Sequence, residues 1–199
     1  MTLWKEWLRW CAPLRAACGR ERTFRWMLVV LAGFCAREDL LGVTSIIRTL
    51  GLEARCYDRL LDFLHSGALH PDLLARLWTG WVLRLHPSVL RCRGRAVLVA
   101  DGLKNPKAGR KMPGVKQLYQ SGASNTKPAF IMGHSCQALA VLVQGLTGGV
   151  AALPLAARIH EGVVFSNRDR RTLLDKLLQL LSALQLPGPF YLVADAYYA

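Results

Sequence analysis

From residue 1 to about 92, apolar residues recur at intervals of three and four, the period of helices with one buried stripe. Trp4, Trp7 and Leu8 share such a stripe, which Cys11 and Leu14 continue. All six tryptophans (Trp4, Trp7, Trp10, Trp26, Trp78, Trp81) fall in this part. Their helical spacing among leucines predicts core anchors rather than a platform for stacked bases. Val43 to Gly51 predicts a short helix, with Thr44 or Ser45 to cap its start and Gly51 to end it. A second helix follows through Tyr57, Leu60, Leu61, Phe63 and Leu64. Helix, glycine-containing turn, helix is the outline of a DNA-reading helix-turn-helix; it is also what any helical bundle produces.

The period changes near Pro87, Gly94 and the cluster Arg91, Arg93, Arg95. The expected division is a helical DNA-binding region over 1–92 and a mixed α/β domain over 93–199. Ala96–Ala100 is an unbroken apolar run, as expected of a strand buried on both faces. Residues 102–128 are rich in Gly, Pro and Lys and predict a long loop. Ser135–Val143 and Val150–Ile159 predict two antiparallel strands about the Gly145–Gly149 turn. Ser166 or Asn167 then caps a helix with a stripe of Leu173, Leu174, Leu177, Leu178, Leu181 and Leu184. Pro187-Gly188-Pro189 stops it, and Phe190–Ala194 is a second apolar strand. A helix between the last two strands predicts a crossover back to the sheet.

Composition narrows the partner. The 199 residues are 52% hydrophobic and 20% charged, which excludes wholesale disorder. Lys and Arg number 26 against 13 Asp and Glu, a net charge of +13. Residues 1–95 carry 15 basic and 8 acidic side chains, and residues 96–199 carry 11 and 5, so both halves are basic. The excess favours nucleic acid first and an anionic membrane surface second. Residues 129–157 hold no charged side chain, but Gly133, His134, Gln137, Gly145 and Pro154 break them into strand-length runs. That argues against a membrane span. Lys5, Glu6 and Arg9 interrupt any secretory leader. Cys11, Cys18, Cys35, Cys56, Cys92 and Cys136 match no zinc spacing and read as reduced thiols of a cytoplasmic protein.

The tetrapeptide Leu-Val-Ala-Asp occurs twice, ending at Asp101 and at Asp195. Each time an apolar strand runs directly into a carboxylate. Ligands of open α/β sheets gather outside the carboxyl ends of strands. If the two strands lie parallel and adjacent, the carboxylates converge, and a cation between them relieves their repulsion. Mg²⁺ or Mn²⁺ suits such oxygen ligands and phosphoryl chemistry. Either Asp alone also fits a residue that merely ends its strand. Past Asp101, Lys104, Lys107, Arg110, Lys111, Lys116 and Lys127 are joined by no acidic residue before Pro128, which suits DNA phosphates or, equally, a solvated loop. His134 fits a satisfied core histidine as well as a site residue. His160 and Glu161, with Arg158, fit a surface ion pair better than a site.

Val99-Ala100-Asp101-Gly102-Leu103-Lys104, Lys107-x-Gly109-Arg110-Lys111-Met112-Pro113-Gly114-Val115, Lys127-Pro128 and Gly133-His134 resemble the DDE transposases of bacterial insertion sequences. Pro154-Leu155-x-x-Arg158-Ile159-His160 and Val193-Ala194-Asp195-Ala196-Tyr197-Tyr198 agree in order and spacing. The resemblance covers residues 40–199 and is strongest over 97–161 and 190–198. It implies a ribonuclease H-like domain: three antiparallel strands, a helix, and a fourth strand parallel to the first. It also implies that Asp101 and Asp195 are catalytic, metal-binding carboxylates. They would cut phosphodiesters at transposon terminal repeats and join the ends to target DNA. A helical region that recognises the repeats is implied as well.

The third carboxylate of that family lies on a helix beyond the fourth strand, and nothing follows Ala199 here. The chain is therefore expected to be the N-terminal part of a transposase. Its partners are DNA and a second copy of itself within a DNA complex, and its location is the bacterial nucleoid. The alternative is a catalytically inactive DNA-binding remnant. A third reading is an unrelated metal-dependent nuclease or phosphatase of similar topology.

Overall fold

The computed structural model describes residues 2–39, 42–85, 88–107, 109, 112–119, 126, 128–145, 147–160 and 171–195. The chain divides into two compact units, 1–78 and 79–199. The change from helix to strand falls between Leu85 and Arg91, close to residue 92, where the pattern of the sequence changes. The units part earlier, within a helix.

The first unit is helical. It contains α1 (Leu3–Cys11), a 3₁₀ stretch (Ala12–Ala17), α2 (Glu21–Ala36), α3 (Val43–Thr49), α4 (Cys56–His65) and the start of α5 (Pro71–Leu85). Helices α2, α3 and α4 each pack on the other two. Their core joins Phe24, Met27, Leu28 and Val30 of α2 to Ile46 of α3 and to Leu60 and Phe63 of α4. Gly33 lets α3 approach: a Cβ there would stand 2.6 Å from Ile46 Cγ2. Gly51 ends α3 with φ +60°, as its position predicts. The start of α3 differs from expectation, since Gly42 is its N-cap and no side chain caps it. Ser45 instead donates to Asp39 Oδ1. The tryptophans also divide. Trp7, Trp26 and Trp78 pack against the core, while Trp4 and Trp10 are more than half exposed.

The second unit holds the end of α5 and, among the described residues, a six-stranded sheet with one further helix. Its strands are β1 (Arg91–Cys92), β2 (Arg95–Pro106), β3 (Lys116–Tyr119), β4 (Phe130–Gln144), β5 (Val150–His160) and β6 (Phe190–Ala194). Strands β2, β4 and β5 pair antiparallel in sequence order. The chain then forms α6 (Leu173–Leu184) and returns as β6, parallel to β2 on the side away from β4. The central order is thus β5-β4-β2-β6. The expected loop over 102–128 is only partly loop, because β2 runs on to Pro106 and β3 forms inside it. The β4–β5 hairpin closes on Gly145 and Gly149 as expected, with Gly148 at φ +82°. Leu139 pairs with Ala156 and Ala140 with Pro154, so Leu155 is an extra residue, and it turns into the core.

One face of the sheet is covered by α6. Leu177, Leu180 and Leu184 are buried with Leu98, Ala100, Leu139 and Val141. The helix stripe runs through these positions; Leu174 and Leu178, expected in it, are about half exposed. Nor is β2 buried on both faces. Ala96, Leu98 and Ala100 are buried, whereas Val97 and Val99 are half-buried. In β6, Leu192 and Val193 are exposed. Strand β6 pairs with β2 along one side only among the described residues, and an edge strand buries less. The α6 start also differs: Thr172 caps it, five residues beyond the expected Asn167. Ser166, Asn167 and Glu161 lie outside the described residues.

Candidate active site

The two Leu-Val-Ala-Asp segments lie side by side. Leu98 pairs with Leu192, Val99 with Val193 and Ala100 with Ala194, all parallel and in register. The next residue on each strand is therefore Asp101 and Asp195. Paired strands stand about 4.8 Å apart in their backbones, so the chain positions that carry the two carboxylates follow directly on neighbouring paired residues, Ala100 and Ala194. Alternation places Asp101 with Val97 and Val99, on the face away from α6, opposite Ala138 of β4. Asp195 is the first residue past β6, next to Ala194, the partner of Ala100. Both side chains are exposed. Asp101 Oδ1 accepts the Gly102 N–H at 2.7 Å. Neither carboxylate has a basic partner among the described residues.

This donor set fits a hard divalent cation: two adjacent carboxylates, open to solvent, with no protein cation between them. Among the described residues, no cluster of three or more His, Cys, Asp or Glu stands ready for a metal. Asp101 and Asp195 each directly follow a residue of the Ala100–Ala194 pair.

The segment after β2 folds back over the same face. His134, opposite Asn105, is buried, and its Nε2–H donates to Pro113 O at 2.9 Å. His134 is thus a satisfied histidine that pins the Met112–Gly114 turn to the sheet. Gly114, at φ +72°, rests against Ile159 and His134. Its neighbour Gly133 meets the backbone of Asn105 and Pro106 so closely that no Cβ fits.

The basic residues do not all gather at the carboxylates. Lys104 is exposed on β2, and its Nζ donates to Tyr119 O at 2.6 Å. Lys107, just past β2, is half-buried. Its charge reaches the Cys136 thiol, whose pKa burial raises and Lys107 partly lowers. Cys136 alternates with Ala138, so Lys107 belongs to the Asp101 face. Lys116 belongs to the other face: it pairs with Gly133 and lies near Lys176 of α6. Burial pushes its ammonium pKa down, and Lys176 adds to the effect. Arg110, Lys111 and Lys127 lie outside the described residues. Gln137, which reads in sequence only as an interruption, is buried, and its Nε2 donates to Leu173 O at 2.7 Å. It sits opposite Gly102 and ties the start of α6 behind the site. That partner is 36 residues away, and no local signal announces it.

Three antiparallel strands, a helix and a fourth strand parallel to the first make the order of a partial ribonuclease H-like domain. The family model described as DDE superfamily endonuclease matches residues 13–199, and the chain belongs to that family. Members of this family act on DNA and generally depend on a divalent metal. No curated protein matches the chain. No helix among the described residues is long and apolar enough to cross a membrane.

Proposed function

We propose that the chain is a transposase polypeptide of an insertion sequence, acting on transposon terminal repeats by metal-dependent phosphodiester cleavage and strand transfer. The observation that carries this reading is the in-register pairing of Leu98–Ala100 with Leu192–Ala194, which brings Asp101 and Asp195 together. These carboxylates hold Mg²⁺ or Mn²⁺ through oxygen. What a bound ion supplies is activation of the attacking oxygen and stabilisation of the leaving one. The paired strands support this reading by carrying the two carboxylates directly after partnered residues. Lys107, with Arg110, Lys111 and Lys127, holds the DNA backbone that passes the carboxylates, and Lys104, paired with Ser135 and so on the α6 face, holds it further along. Lys116 opens on the α6 face and contacts a different stretch. The helical region over 1–92 recognises the repeat, and a second copy joins in the DNA complex. Such a protein works in the bacterial cytoplasm, at the nucleoid.

The test is cleavage of a duplex bearing the matched terminal repeat, in Mn²⁺, against a duplex of unrelated sequence. The reading predicts nicking at the repeat end, lost in Asp101→Asn and Asp195→Asn. Binding without cleavage favours the inactive DNA-binding remnant. Equal cleavage of both duplexes favours a general nuclease.

A further inference from the structure

We propose that a pocket between the start of α2 and the outer face of α4 binds a phosphate of the DNA backbone. The inference rests on the DNA-binding reading above and adds a place for contact in the helical unit. The pocket has a volume of about 220 Å³, and Arg20, Arg22, Thr23 and Trp26 line it from one side, Arg59 and Asp62 from the other. A water occupies about 30 Å³ of liquid, so a phosphate oxygen pair with its hydration fits. None of the three guanidinium groups has a hydrogen bond or ion pair among the described residues.

Their isolation contrasts with their neighbours. Glu21 engages Arg15 at 2.9 Å and Arg25 at 3.3 Å, and so leaves Arg20 and Arg22 uncompensated. Asp62 is the one acidic group in the pocket, which carries a formal +2 with it. Three arginines lining one cavity carry like charges that an anion joins, and their planar guanidinium forks suit phosphate oxygens. Helix α2 also begins here with Arg20 as its N-cap and no side-chain cap, which leaves first-turn N–H groups to an anion. The rest of α4 offers less: Asp58 adds a negative charge in its first turn, and Arg55 at its N-cap is paired with Glu53. Phosphate binding is thus placed at the α2–α4 pocket, not spread along α4.

The experiment is fluorescence anisotropy of a labelled duplex bound to the full chain in EDTA, over a range of salt. Arg20→Ala, Arg22→Ala and Arg59→Ala should each weaken binding about 3- to 10-fold. The triple variant should flatten the log–log salt slope by about 0.9 for each phosphate that the protein no longer neutralises. Asp62→Asn, which removes the opposing charge, should tighten binding, and it guards against losses caused by misfolding. Unchanged slope and affinity in the triple variant, or no gain in Asp62→Asn, overturns the site alone. A wild-type chain that binds no duplex overturns the DNA reading as well. Displacement of the duplex by micromolar inorganic phosphate would assign the pocket to free phosphate and also overturn the proposal.

Discussion

Gly133 shows how a single residue holds the site together. It lies where β4 passes the end of β2, and a Cβ would strike the Asn105 carbonyl, a backbone atom with little room to yield. Gly133→Ala is therefore expected to cost about 1–3 kcal/mol, read by urea denaturation. A change within about 0.5 kcal/mol would show that the strands part freely there. Lys116 is the opposite case, a residue that weakens the fold. Burial and Lys176 both disfavour its charge, so its folded pKa lies below the ordinary 10.5. Its cost to stability is present while it is protonated, and it fades as pH rises from the folded pKa towards the unfolded one. Lys116→Met should raise Tm at neutral pH, with a smaller gain near pH 10. A lower Tm at neutral pH would contradict this. Both residues stand out in the sequence, Gly133 beside His134 and Lys116 in an acid-free run. Their roles do not, because they depend on Asn105 and Lys176, which local spacing cannot align with them.

At the scale of elements, α6 fixes the back of the site. Its start is a capping box: Thr172 accepts from the Asp175 N–H, and the Asp175 carboxylate accepts from the Thr172 N–H. Thr172→Ala should cost about 1 kcal/mol, measured by chemical denaturation, and no loss would mean that the cap is idle. The sequence points to Ser166 or Asn167 as the cap, and Ser166 also has an acidic residue three positions on, Asp169, so the pattern by itself does not single out Thr172. Strand order was legible because Gly145–Gly149 demands a hairpin and the α6 stripe demands a crossover. Burial was less legible. An apolar run such as Phe190–Ala194 reads the same in the middle of a sheet and at its edge. Only pairing decides, and β6 pairs with β2 alone among the described residues.

At the scale of the whole molecule, two features carry the functional account. The first is charge. A net +13 spread over both halves predicts DNA affinity that falls steeply with salt. The structure divides that charge between faces and units: Lys107 lies on the Asp101 face, Lys116 on the α6 face, and Arg20, Arg22 and Arg59 in the helical unit. No count of residues could have made that division, since it follows from strand alternation and helix packing. The second feature is the repeated tetrapeptide, which was visible as a string. Its meaning depended on register, because a slip of one residue would turn one aspartate to the opposite face. The pairing of Ala100 with Ala194 supplies that register. The most direct test is a double-mutant cycle on Mn²⁺ affinity by isothermal titration calorimetry, using Asp101→Asn, Asp195→Asn and the double variant. A shared site predicts at least a roughly tenfold loss in each single variant and a double loss well short of the sum in free energy. Unchanged affinity in either single variant, or fully additive losses, would contradict it.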